Sequence, residues 1–252
     1  MKVPQIPIIC TCIAGIVATG IMTRMERDRY PSNAWPTPNK GGLKAEVAAT
    51  AACLIAEEGL DYASAKRKAY ARVTGGKGHR ISKEALPSNE ELENAVRDYQ
   101  LIFQSEHQPA RCRALREKAL SLMRLLADFS PMVTGAIANG TAGEHSDIHL
   151  QCFADNAKAL GIFLLNQNIR SDASCLPHHR AGHPPVEALA IQWMGELAVI
   201  AVYPEVDARG ALRPDAKGRL QRLDCLGLQE LLQHKISPQP ARERAPEEHE
   251  TR

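Results

Sequence analysis

Aromatic residues make up only 4% of this 252-residue chain, and its net charge is only +2. With few ring faces and no global basic field, the chain lacks the stacking platforms and the electrostatic footprint of a nucleic-acid-binding protein. Paired cysteine spacing is also missing. Cys10, Cys12, Cys53, Cys112, Cys152, Cys175 and Cys225 are scattered and odd in number, which argues against a disulfide framework and for a reducing, cytoplasmic setting. There is no Walker loop: the G-G-K-G-H run at 75–79 has neither its spacing nor its G-K-[ST] ending, so a Walker-type ATP-dependent ligase is not expected. The one long uncharged run, Ile6 to Met22, is interrupted by Pro7 and by threonines and glycines. If it inserts in a membrane, Arg24, Arg27 and Arg29 behind it put the rest of the chain on the cytoplasmic side; the alternative is an upstream extension ahead of a start at Met25. Membrane contact is expected through residues 6–22 alone.

What is present reads as an ordinary globular protein. Hydrophobic residues make up 44%, enough for one substantial core, or one core plus a small helical subdomain. Three prolines and paired glycines mark 29–42 as a linker. Val47, Ala51, Leu54 and Ile55 then form an apolar helical stripe that Gly59 ends, and Asp61 caps a second helix running to Val73. Lys66, Arg67 and Lys68 on that helix are either a solvated face or a clamp on a phosphate backbone. Ser88 and Glu91 form a capping box that opens a helix to about Phe103. After Pro109, apolar residues from Cys112 to Leu126 recur at helical spacing and need a sheet to pack on.

The pattern then changes to strands: Pro131 to Ala138, a glycine turn, and Ser146 to Phe153. A helix from about Asp155 to Gln167 follows, and then Val186 to Gln192 and Leu197 to Tyr203, joined at W-M-G-E as a hairpin. Leu220 to Leu232 reads as a terminal helix. The expected fold class is α+β, with a mixed sheet flanked by helices. The expected organisation is an apolar segment and linker at 1–42, a helical subdomain at 43–108, a sheet domain at 109–236 and a disordered tail at 237–252.

The stretch T-G-A-I-A-N-G-T-A-G-E-H-S-D-I-H-L, from Thr134 to Leu150, carries the most chemical information. Gly135 and Ala136 are followed by ten residues and then by Asp147, Ile148, His149 and Leu150. This resembles the nucleotidyltransferase superfamily, the fold of DNA polymerase β and of small bacterial antibiotic nucleotidyltransferases, over roughly Pro109 to Tyr203. That family has a glycine followed by serine or glycine and, about ten residues later, two acids separated by an apolar residue. Here Ala136 replaces the hydroxyl and His149 the second acid.

The resemblance implies transfer of a nucleoside monophosphate from a nucleoside triphosphate to an unknown acceptor. Such chemistry is mostly positioning and neutralisation of charge by divalent metal, Mg²⁺ or Mn²⁺, on carboxylates. Asp147 and His149, at i and i+2 of a strand, share a face and would hold the metal with Glu187, the best-placed acid on a later strand; Glu187 reads equally as a strand-end charge in solvent. Imidazole suits Mn²⁺ or Zn²⁺ better than Mg²⁺. Gly135, Ala136, Gly140 and Gly143 would cradle phosphates through backbone N–H groups, with Asn139 and Thr141 as extra donors and Ser146 beside the aspartate. The alternative function is a nucleotide-binding or protein-interaction module of the same fold that has lost catalysis. Cys175, His178, His179 and His183 read as a histidine-rich loop with too few converging ligands for a closed zinc site.

Overall fold

The computed structural model describes residues 42–75, 83–178, 182–212 and 221–233. The apolar run at 6–22, most of the linker, part of the G-G-K-G-H run, His179 and the tail lie outside the described residues.

Three helices come first: α1 (Gly42–Glu58), α2 (Tyr62–Val73) and α3 (Asn89–Phe103). Each of the expected start and stop signals operates locally. Asp61 accepts hydrogen bonds from the backbone N–H of Ala63 and Ser64 at 3.0 Å, and Ser88 and Glu91 exchange both bonds of the capping box. Gly59 leaves α1 at φ +68°. Val47, Ala51, Leu54, Ala69, Leu92 and Val96 are buried between these helices as one apolar cluster.

The long helix α4 (Gln108–Leu125) leads into β1 (Met132–Thr134), a short helix α5 (Gly135–Asn139), β2 (Ile148–Phe153) and α6 (Ala157–Asn166). β3 (Ser171–Leu176), β4 (Val186–Trp193), β5 (Glu196–Tyr203), β6 (Arg222–Leu223) and α7 (Cys225–Gln233) follow. The strands form one sheet in the order β3-β4-β5-β2-β1-β6, antiparallel throughout except for the parallel pair β2 and β5. The protein is therefore α+β with a mixed sheet. Leu150, Ile200 and Leu189 lie in one row across the sheet and pack, with Ile148 and Ile191, against Leu115, Leu122 and Met123 of α4 and Leu160 and Leu164 of α6. Among the described residues no helix is long and apolar enough to cross a membrane.

Several boundaries differ from the sequence reading. The first strand stops at Thr134, because Gly135 turns at φ +66° and residues 135–139 close into α5, which packs Ile137 and Ala138 inward. Asn156 rather than Asp155 caps α6, accepting from the Lys158 N–H at 3.1 Å. Neither β3 nor β6 was anticipated. β3 is exposed on both faces and rich in small polar residues, so it has no alternation to read, and a two-residue strand such as β6 has no period at all.

The β4–β5 hairpin turns through Met194 and Gly195, both at positive φ, as a two-residue loop requires. Glu196, just beyond, anchors the hairpin to α4. Arg111 grips its carboxylate with both terminal nitrogens at 2.7 and 2.9 Å, and Lys118 Nζ joins at 2.6 Å. All three side chains are mostly buried, so the geometry is one in which an ion pair outweighs its desolvation. Arg111 and Lys118 hold the Glu196 carboxyl at about 2, well below the usual carboxylate range. A depressed carboxyl contributes stability above its unfolded value and loses it as the pH falls from about 4.5 toward 2. Glu196→Gln should thus cost about 1–3 kcal/mol at pH 7. It should also flatten the acid limb of stability in that window, as measured by denaturant unfolding at a series of pH values; an unchanged acid limb would remove Glu196 from this role.

Candidate functional site

The Gly135–Leu150 segment falls into two parts with different environments. Gly135 is exposed and Ala136 half-buried, at the start of α5. Thr134 precedes them without capping α5 through its side chain; in the register that pairs Val133 with Leu150 it stands beside His149, and its hydroxyl donates to the His149 carbonyl at 3.5 Å.

The second part, Asn139 to Gly143, does not line an open phosphate cradle. Thr141, Ala142 and Gly143 are buried between the helices and the sheet. Asn139 Oδ1 accepts from both the N–H and the hydroxyl of Thr141, at 3.0 and 2.7 Å, so these two expected donors spend themselves on each other. The carbonyls point at side chains. Arg97 donates to the Asn139 carbonyl at 3.2 Å and Gln100 to that of Thr141 at 2.8 Å. Gln108 spans the carbonyls of Gly140 and Ala142, both at 2.9 Å, and Arg116 reaches that of Ile137 at 3.0 Å. Arg111 adds the Glu144 carbonyl at 3.2 Å. Ser146 does not face a ligand either, since its Oγ accepts from the Gly143 N–H at 2.9 Å and closes the turn into β2. Buried irregular backbone has to be paired, and this turn is paired by α3 and α4.

This turn delivers Asp147 and His149 to the sheet. His149 lies on the face opposite the main core, in a row with Val199 and Ala190; Asp147, two residues earlier, has the same parity. The His149 residue is open to solvent, yet protein crowds its ring. That crowding lowers its pKa below the ordinary histidine value, with Asp147 opposing. At neutral pH it is a neutral imidazole, able to accept a hydrogen bond.

Glu187 does not join them, which corrects the expected metal set. It pairs with Val202 and Cys175, in the row of Cys152, and so rises from the core-side face, while His149 rises from the other. The period-two pleat decides this, because residues 149 and 152 on β2 differ by an odd number. One carboxylate and one imidazole remain on the open face. Among the described residues no group of three His, Cys, Asp or Glu is placed to hold a metal ion. The donor set therefore does not fit a multi-carboxylate metal centre.

Arg222 was missed. It pairs with Thr134 and donates from Nε to Gln151 Oε1 at 2.6 Å, over the same face as His149. The histidine-rich segment has a local role: His178 Nε2 meets Asp207 Oδ2 at 3.3 Å and its ring stacks on His183 at 4.6 Å, edge-on to Tyr203. Comparison with protein-family models, curated proteins and solved structures finds no match for the chain.

Two stability outcomes follow from the gripped turn. Gln108→Ala leaves two buried carbonyls without their donor and should cost about 1–3 kcal/mol, read as a lower denaturation midpoint at unchanged m-value. A Cβ at Gly59 would sit 2.6 Å from His145 Cβ, at a φ of +68° that already disfavours side chains. Gly59→Ala should thus lower the thermal midpoint by several degrees, on the order of 1–3 kcal/mol; a midpoint unmoved by both substitutions would mean that the turn is not held this way.

Proposed function

We propose that this chain is a nucleotidyltransferase-like protein that binds a nucleoside triphosphate on the open sheet face beside Gly135, Asp147 and His149, and that it serves as a binding module without metal-dependent transfer. The observation that carries this reading is the local arrangement: a strand, an exposed glycine turn and short helix, and an antiparallel return strand that opens with Asp147 and His149. Loss of transfer is argued from the donor set. Glu187 lies on the opposite face, and the one i+2 partner of Asp147 is an imidazole, whereas Mg²⁺ asks for hard oxygen ligands.

A second reading, active transfer of a nucleoside monophosphate with Mg²⁺ or Mn²⁺, draws support from the shared face of Asp147 and His149. In both readings the exposed turn at Gly135 meets the phosphates. The gripped part, Asn139 to Gly143, holds the turn and the strand in register.

Calorimetry of the full chain with each of the four nucleoside triphosphates, with Mg²⁺, with Mn²⁺ and without metal, separates these. Binding without turnover supports the module, and His149→Asp should then raise affinity in Mg²⁺, since it restores a hard ligand at i+2. Metal-dependent turnover abolished by Asp147→Ala, in a chain of unchanged thermal midpoint, supports transfer. No binding under any condition removes the nucleotide reading altogether.

A further inference from the structure

Where β6 closes the edge of the sheet, it carries a guanidinium onto the candidate face. Arg222 pairs with Thr134, so both side chains rise on one side, and Thr134 stands beside His149 on the next strand. From β6 the Arg222 side chain reaches over β1. Its Nε donates to Gln151 Oε1 at 2.6 Å and its Nη1 to the Ala211 carbonyl at 3.4 Å. Gln151 is two residues along β2 from His149, on the same face and about 7 Å away at the rise of a strand. Both of these acceptors are neutral, so neither cancels the positive charge. A guanidinium is a planar fork of five donors that matches phosphate oxygens two at a time.

We propose that Arg222 is the phosphate-recognition residue of the candidate site and that it selects ligands carrying a polyphosphate over the corresponding nucleosides. This rests on the nucleotide-binding reading. The site then runs across three adjacent strands: a guanidinium from β6, a hydroxyl from β1 and an imidazole from β2. At ordinary strand spacing the row covers about 10 Å, which suits a chain of phosphates better than a single one. Gln151 is a positioning residue that holds the fork over β1.

The test is calorimetry of the full-length chain, without added metal, using inorganic tripolyphosphate, the four nucleoside triphosphates and the four nucleosides as probes. Wild type, Arg222→Ala and Arg222→Lys are compared, each with its thermal midpoint. Arg222→Ala should weaken tripolyphosphate and triphosphate binding about tenfold or more, the scale of one charge-assisted hydrogen bond, and leave any nucleoside binding unchanged. Undiminished triphosphate binding in a folded Arg222→Ala chain overturns the inference and leaves the nucleotide reading standing. Arg222-dependent binding of tripolyphosphate but of no nucleoside triphosphate does the reverse. If wild type binds none of the probes, both fall. Should Arg222→Ala fail to fold, Arg222→Lys decides: binding weaker than wild type supports recognition by the planar fork, and equal binding overturns it.

Discussion

Backbone groups taken out of water must find partners, and in this chain that demand is greatest from Ile137 to Glu144. The segment is irregular, so it cannot pair with itself as a helix or strand would. Its carbonyls are received by Arg97 and Gln100 on α3 and by Gln108, Arg111 and Arg116 on α4. The same Arg111 clasps Glu196 at the start of β5. Helices, turn and sheet are thus joined through a few polar side chains at one place. Breaking any of them strands a buried acceptor or a charge, which is costlier than losing a surface contact.

The turn also fixes how β2 enters the sheet. Ser146 closes it against Gly143, and β2 then runs parallel to β5 with His149 beside Val199. Because the register is set on both sides of β2, the faces of Asp147, His149, Gln151 and Glu187 follow from the pleat alone. The apolar alternates of β2, β4 and β5 go to the core. The polar ones are left on a face where a ligand can approach. A glycine-rich sequence therefore serves two ends: its first residue makes an exposed turn, and the remainder is a structural joint.

Local signals were the most legible in the sequence. Asp61, the Ser88 and Glu91 box, Gly59 and the apolar stripe of α4 each act within a turn or two of the chain, so their outcome depends little on distant residues. Strand content was legible where alternation or a buried apolar run was present, as in β2, β4 and β5. It was not legible in β3, which has polar and small residues on both faces, or in β6, whose two residues pair only because β1 is already in place. At the site, the pairing of Asp147 with His149 on one face could be read from their spacing. The exclusion of Glu187 and the inclusion of Arg222 could not, since each depends on a strand register set elsewhere.

The sequence by itself determined the α+β class, the helix termini and the strand that carries Asp147 and His149, because capping chemistry and hydrophobic period act over a few residues. Only the tertiary structure decided which glycines are exposed and which are buried, and which acids and cations share a face. Those questions turn on whether the number of residues from a paired neighbour is odd or even, and on which distant side chains receive each buried carbonyl.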